Sequence, residues 1–184
     1  MSEQLRPVRY GLVLGSAAIL YGFSLGAFFG IGEDRIVARN ERVAAAHFDA
    51  YRARVKDAAD PEAAARAAME KTLDSSWRYW LRAHFHAGGI GGVAIGLSLV
   101  LSFLDVRRAA KTLVSVLLGI GAVGYPLFWM LAGIRAPRLG STDAAKESLT
   151  WLAMPTAGSA LVGATLAFAF IAHALLLRKD GAAE

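Results

Sequence analysis

The sequence predicts an all-α polytopic membrane protein, a four-transmembrane-helix bundle with an extramembrane helical hairpin between its first and second spans. Three observations carry this. Of the 184 residues, 55% are hydrophobic, more than a soluble domain of this size normally holds. The apolar residues gather into four runs, 10–31, 83–104, 112–134 and 149–177, each long enough at about 1.5 Å per residue to cross roughly 30 Å of hydrocarbon. The only long polar segment, 33–82, is rich in Ala, Arg and Glu, which favour helix.

Composition also excludes chemistry. The absence of cysteine removes disulfides, iron–sulfur clusters, thiolate zinc sites and cysteine nucleophiles. The formal charge of +5 is assigned to Lys and Arg at span ends, where they suit anionic lipid, and not to nucleic acid, since no basic patch with interleaved aromatics accompanies it. The N-terminus lacks a small-residue cleavage pattern, so its apolar run is read as a retained first span.

Span one, 10–31, carries Gly11 and Gly15, then Gly22, Gly26 and Gly30, at four-residue spacing suited to close helix contact. Glu33, Asp34 and Arg35 end it. Within 33–82, Asp60-Pro61-Glu62 reads as a helix start, with Asp60 the N-cap and Pro61 at the first helical position. The preceding helix should therefore stop near Asp57 to Ala59. A turn centred on Ala58 and Ala59 would place His84 opposite Glu33 and Asp34, and His47 opposite Met69 and Glu70.

Span two, 83–104, is marked by Trp77, Tyr79 and Trp80 before it and by Arg107, Arg108 and Lys111 after it. Gly88, Gly92 and Gly96 share one face, read as the packing face, with His84 stacked on it. Span three, 112–134, holds Tyr125-Pro126, and the proline should kink it. Arg135, Pro137, Arg138 and Gly140 then read as a short loop. Span four, 149–177, holds Pro155 near its start and His173 near its end, followed by Arg178 and Lys179.

The chemical candidates lie at the hairpin-side interface. His84, His86, Glu33, Asp34 and Glu147 form a candidate shell for a divalent transition metal, with imidazole and carboxylate ligands and no thiolate. Residues two apart on a helix point about 200° from each other, so His84 and His86 cannot both face one ion, and His84 is the preferred inward residue. The run AHFHAGGIGG, Ala83–Gly92, resembles the histidine-bearing spans of haem-copper oxidases, and that resemblance implies haem b as a cofactor. Paired axial ligation needs two histidines at one depth on different helices, which disfavours an intrachain bis-histidine haem and leaves single-histidine haem or one shared across a homodimer.

The leading functional expectation is thus an integral membrane protein binding a metal ion or haem, as a redox or assembly component. An alternative is a non-catalytic interaction subunit whose glycine faces dock a homo-oligomer or a larger membrane complex. A third is a small enzyme acting on a lipid or quinone-like substrate in a cavity beside Tyr125 and Trp129, opened by Pro126 and Pro155. The expected location is a bacterial cytoplasmic (inner) membrane with both termini cytoplasmic. By raw count the ten Lys and Arg of the hairpin argue the other way, but nine acids nearly balance them and the remaining segments are denser in positive charge.

Overall fold

The computed structural model describes residues 3–177. Among them the chain is all helical, with no strand: α1 (Arg9–Ala46), α2 (Phe48–Arg52), α3 (Pro61–Phe103), α4 (Arg108–Leu139), α5 (Thr142–Glu147) and α6 (Thr150–Ala172). A 3-10 turn, Arg6–Val8, precedes α1, and a π-helical turn, His173–Leu177, follows α6. Four helical segments are long and apolar enough to cross a membrane. Arg178 and Lys179 lie outside the described residues.

Sequence explains most helix ends. The Asp60 carboxylate accepts from the Glu62 and Ala63 amides at 3.1 and 3.0 Å, so α3 starts at Pro61 as expected. The end of α1 falls earlier than expected, at Ala46. There the His47 ring takes the Val43 carbonyl at 2.9 Å, while the His47 amide bonds one residue short, to Ala44. The side chain competes for the acceptor that would continue the helix.

A second correction concerns 135–140, expected as a loop. Helix α4 continues through Pro137 to Leu139 and stops at Gly140, whose φ is +63°, the left-handed conformation that ends many helices. A Cβ at Gly140 would also lie 3.0–3.1 Å from the backbone of Ala50 and Tyr51.

Contacts divide the chain into two units. Among the described residues the first comprises 3–21, 86–124 and 155–177. Its core is Val8, Ala18, Ala94, Leu101, Val114, Leu118, Ala122 and Ala167. Helices α1 and α3 meet backbone to backbone: a Cβ on Gly15 would fall 2.9 Å from the Gly91 carbonyl oxygen, and one on Gly91 would fall 2.8 Å from that of Gly15. The Ser115 hydroxyl accepts from the Gly11 amide and donates to the Val8 carbonyl, both at 2.7 Å, serving the first turn of α1. Buried Lys111 donates to the Ser102 carbonyl at 3.0 Å, a cation on the last turn of α3.

Gly88, Gly92 and Gly96 do not meet another helix of this chain among the described residues. All three are exposed, and nothing lies within 4 Å of where a Cβ would stand. The chain's own contact runs through Gly91, on another side of α3. In α6 only 11% of the most apolar stretch is buried, against 50% in α4.

The second unit comprises 22–85 and 125–154. Ala44, Tyr51 and Ala65 form one buried cluster, flanked by Phe48, Met69 and Leu73. Asn40 donates to the Ser76 hydroxyl at 3.1 Å, and Ser76 donates to the Gly133 carbonyl at 2.7 Å. Pro137 lacks the amide that would bond Gly133 in a regular helix, so Ser76 fills a gap made by the proline. One turn on, the buried Tyr51 hydroxyl donates to the Pro137 carbonyl at 2.9 Å. Two donors from 33–82 thus hold the last turns of α4.

Candidate functional site

His84 is half-buried on α3 and turned toward α1. Its Nδ1 lies 2.8 Å from the Gly22 carbonyl oxygen. A carbonyl only accepts, so Nδ1 carries the proton, and in the neutral tautomer this leaves the lone pair on Nε2. The ring fills the notch at Gly26, where a Cβ would stand 2.9 Å from its Cε1. Phe29 meets it edge-on with centroids 6.0 Å apart, and Phe85 lies tilted at 5.1 Å.

His84 therefore faces inward, as expected, but its companion is a backbone carbonyl. It does not sit opposite Glu33 and Asp34. Asn40 lies beside Ser76, and farther along the glycine notch and the Gly22 carbonyl seat the His84 ring.

The other candidates are dispersed. Glu33 and Asp34 are exposed on α1, Glu147 is exposed at the end of α5, and His86 is half-buried on a different side of α3 from His84. Among the described residues no three His, Asp or Glu side chains come close enough together to hold a metal ion.

Tyr125 and Trp129 are packed into an aromatic cluster. Trp129 lies 4.9 Å from Tyr79, 5.0 Å from Phe128 and 6.0 Å from Tyr125, centroid to centroid. The Arg82 guanidinium lies 4.8 Å from the Trp129 ring centre and 5.5 Å from that of Tyr79, so a cation covers the aromatic faces. Leu149 and Ala132 complete the cluster.

Ion pairs decorate the polar parts. Arg52 donates to Glu62 at 2.7 Å, which raises the Arg52 pKa and holds the Glu62 carboxyl below its usual range. Lys146 pairs with Asp143 at 2.8 Å and lowers the Asp143 pKa in the same way. Asp143 therefore serves Lys146. Arg78 pairs with Asp74.

Sequence reasoning did not single out Ser76, Tyr51 or the arginine row Arg35, Arg39 and Arg42. The row has a periodic signal, at i, i+4 and i+7 of one helix; the two hydroxyls have none. Compared with known protein families, curated proteins and solved structures, the chain has no match in any of the three.

Proposed function

We propose that this is an integral membrane protein of four spans, its first two helices continuing beyond the bilayer as a hairpin, and that it acts as a non-catalytic interaction subunit. The observation that carries the reading is the open face of α3: Gly88, Gly92 and Gly96 with nothing within 4 Å, beside exposed Val93, Leu99, Val100 and Phe103. In lipid the hydrophobic effect gives helices no reason to associate. Close backbone approach at small residues does, and this face offers that approach to a helix from a second copy or a larger complex. The bare apolar surface of α6 supports insertion.

Arg6, Arg9, Arg107, Arg108 and Lys111 stand in short segments. On the positive-inside rule this reading puts them and both termini in the cytoplasm, in a bacterial inner membrane.

Two measurements test the proposal. The protein should stay with membranes through alkaline carbonate extraction, and Gly92→Ile should lower the mass of the particle purified in mild detergent. Release by carbonate would overturn insertion; an unchanged particle would overturn docking at α3.

A metal or haem reading is second, and one observation favours it. A ring fixed through Nδ1–H to a carbonyl is the arrangement that orients a histidine to ligate through Nε2. The remaining ligands would have to come from another chain. Stoichiometric metal or a Soret band in the purified protein, lost in His84→Ala, would establish it.

A further inference from the structure

A cavity of about 390 Å³ opens where α1 leaves its apolar run, lined by Arg35, Arg39, Arg42, Phe28, Ile36, Trp80 and Ile134. Its parts are sorted by chemistry. Phe28 belongs to the apolar run of α1 and Ile134 to the last apolar turn of α4, just before Arg135. The arginines begin about two turns beyond Phe28 and span roughly 10 Å of helix.

None of the three guanidiniums is ion-paired among the described residues. Arg39 bonds the Asn40 side chain at 3.1 Å and Arg42 the Ala38 carbonyl at 3.2 Å, which orient them without neutralising them. The nearest acids on the same helix are not part of the cavity wall: Glu33 and Asp34 do not line it, and Glu41 lines a separate cleft with Asp74. Trp80 is only 8% exposed, and its indole N–H has no hydrogen-bond partner. A buried donor of this kind costs stability unless something accepts from it.

We infer that this cavity binds the headgroup of an anionic phospholipid. The phosphate sits against Arg35, Arg39 and Arg42, which supply positive charge and forked donors, and the first acyl carbons lie along Phe28 and Ile134. A free phosphate would use the arginines but leave the apolar wall without a partner. The amphiphile matches both. The inference rests on the insertion proposed above and not on docking at α3.

The test is native mass spectrometry of the full-length protein in uncharged detergent, titrated with phosphatidylglycerol, phosphatidylcholine or inorganic phosphate. Phosphatidylglycerol should be retained about tenfold better than phosphatidylcholine, and the triple variant Arg35→Gln, Arg39→Gln, Arg42→Gln should lose that preference. Trp80→Phe, which removes the N–H together with part of the ring, should weaken retention severalfold. Arg66→Gln, at a hairpin arginine paired with Glu62, should change nothing, nor should Gly92→Ile, which separates this inference from the docking proposal. Circular dichroism checks that each variant is folded. Equal retention of the two lipids, undiminished retention in the triple variant, or full displacement by millimolar phosphate would each overturn the assignment.

Discussion

The Ser76 hydroxyl donates to the Gly133 carbonyl at 2.7 Å, and Gly133 is the residue whose carbonyl Pro137 deprives of its helical donor. A side chain on α3 thereby lets α4 run through a proline. Ser76→Ala should cost about 1–3 kcal/mol, the penalty for a buried carbonyl left without a donor. Pro137→Ala restores the amide, so the same serine change should cost less in that background. Thermal unfolding of the two single variants and the double variant measures the coupling, and strict additivity would contradict the assignment.

Gly26 and Gly30 separate a filled position from an open one. A Cβ at Gly26 would press on the His84 ring at 2.9 Å, whereas one at Gly30 meets nothing. Gly26→Leu should lower the unfolding midpoint by several degrees, on the order of 1–3 kcal/mol of overpacking, and Gly30→Leu should leave it unchanged. Similar effects at both positions would mean that His84 does not seat on α1.

Tyr51 gives a pH signature. Burial pushes its phenol from 10.0 up to about 12. Because the folded pKa is the higher one, the contribution is fully present below pH 10 and is lost as pH rises through about 12. Tyr51→Phe should be less stable at pH 7, its partner the Pro137 carbonyl left without a donor, and the gap to the native protein should narrow between pH 10 and 12. Unfolding midpoints over that range measure it; a constant gap would show that the phenol does not titrate there.

Much of this architecture was legible because its cause is local. The four apolar runs need only composition, and the start of α3 needs only Asp60 and Pro61, whose cap closes within four residues. The length of α4 was not legible. Arg-Ala-Pro-Arg-Leu-Gly has the composition of a loop, and it stays helical because Ser76 and Tyr51, distant in sequence, bond its carbonyls. The facing of α3 was hidden for another reason. Gly91 lies one residue from Gly92 and carries the internal contact, and spacing alone does not say which row of glycines meets the neighbour.

The candidate site divided the same way. His84 turns inward as expected, but not for the expected reason: Gly88, one turn along, is open, and the ring is held by the Gly22 carbonyl and the notch at Gly26. Counting residues from the hairpin turn assumes straight, parallel helices at one register, and the notch at Gly26 outweighed that count.

The open glycine face of α3 is tested most directly by cross-linking, for which a chain with no cysteine is a clean background. Val93→Cys puts one thiol beside Gly92, at a residue 49% exposed, and Leu161→Cys puts one on α6, 70% exposed. In native membranes, oxidation should join Val93→Cys to the same thiol of a second copy, or a thiol-attached photoreactive cross-linker, which needs no thiol on the partner, should join it to a distinct membrane protein, and both should leave Leu161→Cys a monomer. Equal reactivity at the two positions, or none at Val93→Cys, would contradict the claim that a helix docks there.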